Sequence, residues 1–200
     1  MDRRAPVDFP VHDIIGGRYS PRGFSDRAVD ARTLACLFEA ARWAPSSFNE
    51  QPWAFVLARR GDKETFDAII DCLTPGNQSW AHTAAVLMVS VARMTFEKSG
   101  KVNRHAFHDV GIASGFLALQ ATALGLGLHM MAGFDAAKAR VLLAIPDGFD
   151  PVAAMALGYP LKPEAMSEEA RERAAKPRSR KALAEFVFAR RWGEKIPDLP

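Results

Sequence analysis

The chain has 200 residues, of which 48% are hydrophobic and 24% charged, with a formal net charge of +3 and a pI near 9.0. This length and composition predict one globular domain and argue against an intrinsically disordered chain. The mild positive charge suits an anionic small molecule as well as nucleic acid, so charge alone does not separate these ligand classes. Cys36 and Cys72 lie in apolar stretches, which predicts buried thiols in a reducing compartment and a cytoplasmic protein.

The first half of the chain alternates helical and extended patterns. Asp30 precedes a helical apolar stripe and is predicted to cap a helix that ends before Pro45. Residues 53–58 predict a strand with Trp53 and Phe55 in the core, and residues 62–73 predict a helix that the sequence PGNQ breaks. Residues 84–92 are continuously apolar, which predicts a strand covered on both faces.

A long uncharged segment follows a polar stretch, residues 93–104, for which we predict a mobile loop. Residues 110–134 contain no Asp, Glu, Lys or Arg, and Gly111 and Gly115 form a GxxxG pattern. The segment is long enough to span a bilayer, but its polar side chains and five glycines favour a buried helix of a globular protein. A protein of this size can cover few helices on all sides with its own chain, so this helix suggests a partner subunit. We predict no membrane association.

The rest of the chain predicts two more strands, at residues 128–131 and 151–160, and a helix capped by Asp135. The charged stretch that begins after Pro160 predicts a surface excursion. Strands mixed with long helices predict an α+β, or mixed α/β, fold.

Motifs for metal or nucleophilic chemistry are weak. His105, His108 and Asp109 have helical spacings that could present metal ligands, but no second cluster completes a set, and a solvated helix start is favoured. The sequence lacks HExxH, CxxC, GxSxG, P-loop and Rossmann patterns. We therefore predict no metal site.

Two basic clusters could hold a phosphate. RYSPR spans residues 18–22, and KPRSRK spans residues 176–181. Arginine offers a planar donor fork that matches phosphate oxygens. The second cluster could equally be a nucleic-acid patch or a solvated tail, and the residues alone leave these readings open.

Six segments occur in the order found in the FMN-dependent nitroreductase family, which the chain resembles from about residue 14 to 193. They are RYSPRGF, APSSFNEQPWAF, NQSW, HDVGIASGFLALQATALGLGLHMMAGFD, AIPDGFDPVAAMALGYP and RSRKALAEFVFARRWG. The resemblance implies one FMN-binding domain over residues 1–200, with a central, mainly antiparallel sheet flanked by helices. It also implies an intertwined homodimer, in which residues 161–200 form a C-terminal extension that reaches the partner subunit.

The resemblance assigns the phosphate and pyrimidine contacts of the flavin. Arg18 and Ser20 match residues at the phosphate and ribityl chain, and Tyr19 adds a main-chain or edge contact. Arg22 matches a cation at the pyrimidine end of the ring, where a positive charge favours the reduced flavin. Arg178 and Arg180 match a late basic pair that grips the phosphate.

The remaining implied contacts surround the flavin ring. Asn77 matches a residue at the ring edge, and Met131, Ala132 and Gly133 lie where a backbone N–H addresses flavin N5. The chain departs from enteric members of the family at Ala132, where they have glutamate, and at Trp80, where they have lysine. The loop predicted to reach the partner's cofactor contributes four residues: Pro45, Ser46, Ser47 and Asn49.

The implied function is hydride transfer from NADH or NADPH, through FMN, to a flat electrophile such as a nitroaromatic, a quinone or an activated alkene. A ping-pong cycle of this kind needs no side-chain acid or base. Residues 93–107 are our hypothesis for a substrate-facing lid. Two alternatives stay open: a specialised member (reductive dehalogenase, flavin-fragmenting enzyme or peptide-azoline-type oxidase), and a nucleic-acid-binding protein that uses the basic tail.

Overall fold

The computed structural model describes residues 4–197, and four strands of this part form one antiparallel sheet in the order β1-β2-β4-β3. The register places Val56, Val89, Ala154 and Met131 in one row across the sheet. The predicted α+β fold with a mainly antiparallel sheet is confirmed. The strands are β1 (Trp53–Arg59), β2 (Val86–Arg93), β3 (Gly127–Met131) and β4 (Phe149–Gly158).

The described residues form seven α-helices, and side-chain caps fix the starts of four of them, two of which the sequence predicts. Asp30 accepts a hydrogen bond from Thr33 N at 2.8 Å, and Asp135 accepts one from Lys138 N at 2.9 Å, so both predicted caps are confirmed. The helices are α1 (Asp13–Gly17), α2 (Ala31–Arg42), α3 (Lys63–Cys72), α4 (Pro75–Ala81), α5 (Ala106–Ala123), α6 (Ala136–Leu142) and α7 (Glu168–Ala175).

Strand β2 lies at the centre of the core. Because side chains alternate along a strand, Val86 and Met88 join the cluster that includes α2 and α5, while Leu87, Val89 and Val91 join the cluster that includes α3 and α4. Residues 86–92 are all buried, which confirms the prediction of a strand covered on both faces. Trp53 and Phe55 pack against the first cluster, as predicted.

Helix α5 buries one face against this core and leaves the other open in the single chain. Leu117 and Ala121 are fully buried, whereas Phe107 is 46% exposed and Phe116 is 39% exposed. The prediction of a helix covered all round therefore does not hold within one chain. Among residues 4–197, no helix combines the length and the apolar character needed to cross a membrane.

Two local predictions need correction. PGNQ ends α3, as predicted, but Pro75 then occupies the first turn of α4, because a proline there sacrifices no intrahelical hydrogen bond. Cys36 is exposed on α2, and only Cys72 is buried. The segment 93–104, for which the sequence predicts a mobile loop, contains a turn in which Phe96 N donates to Lys101 O and Thr95 pairs with Val102.

We expect the contact between α5 and the sheet to dominate stability. Replacing fully buried Leu117 with alanine should lower the free energy of unfolding by about 2–5 kcal/mol, because the substitution leaves a cavity. Chemical denaturation measures the loss. Val141→Ala, on the exposed side of α6, should change it by less than about 0.5 kcal/mol. Equal losses in the two variants would contradict this account of the core.

Candidate functional site

Three arginines from opposite ends of the chain meet beside α1, and we call Arg18, Arg178 and Arg180 the arginine group. Arg178 donates to Gly16 O at 3.4 Å and to Arg18 O at 2.8 Å, which brings residues 178–180 against the end of α1. The group lines a cavity of about 700 Å³, whose other wall is apolar and includes Phe9, Ile15 and Phe186.

The arginine group is electrostatically unfavourable by itself. Burial lowers the pKa of Arg18, and the charges of Arg178 and Arg180 lower it further. Like charges held this close repel one another, and a bound anion would relieve the repulsion. The structure therefore brings together the residues for which the sequence predicts phosphate contacts, and their charge suits that ligand.

The next residues along the chain border a second cavity of about 610 Å³. Tyr19, Ser20 and Arg22 line it from one side, together with Trp80 of α4. Residues of α7, which the sequence predicts as a surface excursion, line the opposite side. The segment 18–22 thus runs between the two cavities, with Arg18 at one and Arg22 at the other.

The predicted ring-edge residues also meet, and we call Asn77, Met131, Ala132 and Gly133 the ring-edge group. Asn77 Nδ2 donates to Gly133 O at 3.0 Å, and Thr74 N donates to the same oxygen at 3.0 Å. A Cβ on Gly133 would lie 2.8 Å from Asn77 Nδ2. A larger residue at this position would displace the side chains of Asn77 and Thr74, so glycine suits the close approach of α4. The sequence argument attributes the glycine to the approach of a flavin, and the two reasons are compatible.

A histidine that sequence reasoning did not select connects these segments. His129 Nδ1 lies 2.9 Å from Pro21 O, and its ring lies 4.5 Å from the ring of Trp80. Since a carbonyl oxygen only accepts, Nδ1 carries the proton. Burial lowers the pKa of His129. The hydrogen bond to the Pro21 carbonyl raises this pKa, and the charge of Arg22 lowers it. The net shift is downward, so the ring is neutral at pH 7.

The predicted serine loop, residues 45–49, makes its contacts elsewhere, at the start of α5. Ser47 N donates to Asp109 Oδ2 at 3.0 Å, and Gln51 N donates to Ser46 Oγ at 3.0 Å. Phe48 and Asn49 have φ angles of 53° and 56°, a left-handed conformation that non-glycine residues rarely adopt. Such strain needs support from the surrounding structure and concentrates at functional sites.

Asp109 supplies that support, contrary to the sequence prediction of a solvated helix start. Its side chain is only 2% exposed, and its carboxylate also accepts, at 3.0 Å, from Nδ1 of the exposed His108. The sequence holds one signal for the burial of Asp109, because this acidic residue is followed by a long uncharged helix. The hydrogen bond itself is not predictable from local patterns, because its partner, Ser47, lies 62 residues away in the sequence. Among residues 4–197, no group of three or more His, Cys, Asp or Glu side chains could hold a metal ion.

The turn within residues 93–107 contacts the serine loop and Glu50, the residue that follows this loop. Glu50 Oε1 accepts from Arg93 at 2.8 Å and from the backbone N–H of Glu97. Phe96 meets Phe48 edge to face, with ring centroids 6.0 Å apart. Phe48 is 91% exposed, so this aromatic pair stands on the surface beside the two loops.

The structure therefore divides the predicted residues into two sets. The first set comprises the arginine group, residues 19–22 and the ring-edge group. Contacts of Pro21, His129 and Trp80 connect its members. The second is the serine loop, whose contacts run to α5 and to the 93–107 turn.

The depressed pKa of His129 makes stability depend on pH. In the unfolded chain the ring protonates near pH 6.5, whereas in the fold its pKa lies lower, so the unfolded chain binds more protons below pH 6.5. The stabilising effect of the neutral ring is therefore full above pH 6.5 and is lost as the pH falls towards the folded pKa. Denaturant unfolding at pH 8.0, 6.5 and 5.5 should show a smaller decline in His129→Phe. Parallel declines would contradict this assignment.

We expect the Asp109 carboxylate to hold the serine loop through an acceptor oxygen. Asp109→Asn keeps an acceptor for Ser47 N–H, whereas Asp109→Leu leaves that donor unpaired. The leucine variant should unfold with a free energy about 1–3 kcal/mol lower than the asparagine variant. Limited proteolysis near Phe48 should also be faster in the leucine variant alone. Indistinguishable variants would show that the hydrogen bond does not hold the loop.

Comparisons with known proteins agree with this architecture. A protein of Mycolicibacterium smegmatis, described as an uncharacterized 15.4 kDa protein, is 36% identical over 150 residues, which make up 71% of this chain and 99% of that protein. An Archaeoglobus fulgidus protein with the provisional name NADH dehydrogenase/NAD(P)H nitroreductase is 29% identical over 155 residues, covering 74% of this chain and 83% of the relative. A crystal structure of an oxidoreductase containing FMN has a TM-score of 0.87 and 33% identity, with 96% of this chain and 97% of that one covered.

The family assignment rests on a match to a family model. A family model described as the Nitroreductase family matches residues 15–75 and 70–159, which is more than half of the chain. This range includes both sets of site residues except Arg178 and Arg180. The predictions of the family and of an oxidoreductase are confirmed. The chain belongs to the Nitroreductase family.

Proposed function

We propose that the chain is an FMN-dependent oxidoreductase that passes hydride from NADH or NADPH to a flat electrophile, such as a nitroaromatic, a quinone or an activated alkene, in a ping-pong cycle. The names of the relatives, which include FMN and NAD(P)H, support these cofactors. When bound, FMN supplies the redox chemistry. The observation that carries the proposal is the convergence of Arg18, Arg178 and Arg180 on one cavity.

The arginine group fits the phosphate of FMN. Residues 160 positions apart in the sequence are held together by the hydrogen bond from Arg178 to Arg18 O, although their charges repel. A fold keeps such an arrangement when an anion compensates for the repulsion, and a phosphate accepts several charge-assisted hydrogen bonds at once. Arg178 donates inward to Gly16 and Arg18, which disfavours the reading of the basic tail as a nucleic-acid surface.

The ring-edge group and Arg22 fit the flat part of the same ligand. Asn77 is joined to Gly133 by a hydrogen bond at the start of α4, and Arg22 lines the second cavity together with Trp80. The neutral His129 ring adds no charge beside Arg22. These residues bind and orient the ring; they move no proton. A cation at this position favours added negative charge on a nearby ligand.

We also propose that the protein is a homodimer in which the serine loop of one subunit completes the site of the other. The open face of α5 supports this arrangement, because Phe107 and Phe116 leave apolar surface that a second copy would cover. The serine loop stands next to the start of the same helix. The C-terminal extension, residues 161–200, is proposed to contact the partner beyond the point where Arg178 and Arg180 meet Arg18.

Removing one arginine should weaken FMN binding selectively. We expect Arg178→Gln to raise the Kd for FMN about 10- to 100-fold, because a charge-assisted hydrogen bond to phosphate is lost. Riboflavin, which has no phosphate, should bind the variant and the wild type about equally. Quenching of flavin fluorescence measures both affinities.

The matched control is Arg59→Gln, an exposed arginine at the end of β1, which should leave both affinities unchanged. Purified wild-type protein should be yellow, and NADH or NADPH should bleach it in the absence of air. Colourless protein that also fails to take up added FMN would refute the proposed function. An equal loss of FMN and riboflavin affinity in Arg178→Gln would refute the phosphate assignment alone.

A further inference from the structure

His129 lies at the junction of the three segments that face the proposed cofactor. Its Nδ1 donates to Pro21 O at 2.9 Å, and Pro21 stands between Ser20 and Arg22. Two residues further along the chain, β3 ends at Met131, the first residue of the ring-edge group. One side chain therefore links the segment that carries Arg22 to the strand that leads to Gly133.

The third segment is α4, which reaches the same point through Trp80. The rings of Trp80 and His129 lie 4.5 Å apart at an angle of 33°, and Phe24 packs near Trp80 with its centroid at 6.5 Å. Trp80 is 7% exposed, and its Nε1 has no hydrogen-bond partner among the described residues. Ring packing, with His129 as one neighbour, therefore holds this tryptophan in place.

Backbone packing brings Pro21 to the strand next to His129. A Cβ on Gly127 would lie 2.4 Å from Pro21 Cγ, so the strand and the proline are in direct contact. Gly127 and His129 are two residues apart on β3 and share one face of the strand. The hydrogen bond from His129 to Pro21 thus adds to the close contact between Gly127 and Pro21. It fixes the position of Pro21 along the strand.

We propose that His129 is a positioning residue: its Nδ1–H fixes Pro21, and with it Ser20 and Arg22, against β3 and Trp80. The flavin part of this proposal rests on the proposed function. His129 lines neither of the two cavities, so it acts through the backbone of residues 20–22. The hydrogen bond, and not the ring alone, performs this role.

Two substitutions separate the hydrogen bond from the ring stack. His129→Asn places an amide N–H close to the position of Nδ1 and removes the ring. His129→Phe keeps a ring against Trp80 and removes the donor. We expect the Kd for FMN to rise about 3- to 10-fold in the phenylalanine variant and to stay within about twofold of wild type in the asparagine variant.

A second readout does not depend on flavin. In protein without added FMN, amide hydrogen exchange over residues 18–24 should be faster in His129→Phe than in wild type or His129→Asn, because the segment opens more often. Exchange over α2, on the other face of the sheet, should be the same in all three proteins. If His129→Phe does not fold, His129→Gln replaces it, since its amide lies beyond the position of Nδ1.

Rescue by asparagine in both measurements supports the proposal. A phenylalanine variant that matches the wild type, or an asparagine variant that is as impaired as phenylalanine, overturns it, because the donor would then have no positioning role. Wild-type protein that binds no FMN overturns the proposed function alone. In that case the exchange measurement still decides whether His129 positions residues 20–22.

Discussion

Burial of β2 on both faces is the constraint on which the rest of the structure depends. Val86 and Met88 pack on the side of α2 and α5, and Leu87 and Val89 pack on the side of α3 and α4. Each face of one strand therefore positions a different set of site residues: α5 holds the serine loop through Asp109, and α4 carries Asn77 and Trp80. A single core thus determines the orientation of both sets.

The site itself consists of groups that would be unfavourable without a ligand. Arg18, Arg178 and Arg180 repel one another, and burial disfavours the charge on Arg18. His129 avoids adding to this positive charge because its ring stays neutral next to Arg22. Main-chain carbonyls hold two of these side chains in place: those of Gly16 and Arg18 accept from Arg178, and that of Pro21 accepts from His129.

The serine loop and the residues that follow it carry a second energetic cost, which is backbone strain. Three non-glycine residues with positive φ, at positions 48, 49 and 51, each cost about 1 kcal/mol or more relative to ordinary backbone. Hydrogen bonds from Ser47 N to Asp109 and from Gln51 N to Ser46 compensate for part of that cost. Glu50, through Arg93 and Glu97, then joins the neighbouring turn to this loop.

By itself the sequence determined the strands, the two helix caps and the family, because apolar periodicity, capping residues and motif order are local properties of the chain. It also indicated the arginines, whose charges have no role in a core. Only the tertiary structure decided that Asp109 is buried, that Gly133 packs against the side chains of Asn77 and Thr74 at the start of α4, and that His129 joins Pro21 to Trp80. These contacts join residues that are far apart along the chain, for example the 108 positions between His129 and Pro21, and no local pattern records such a pairing.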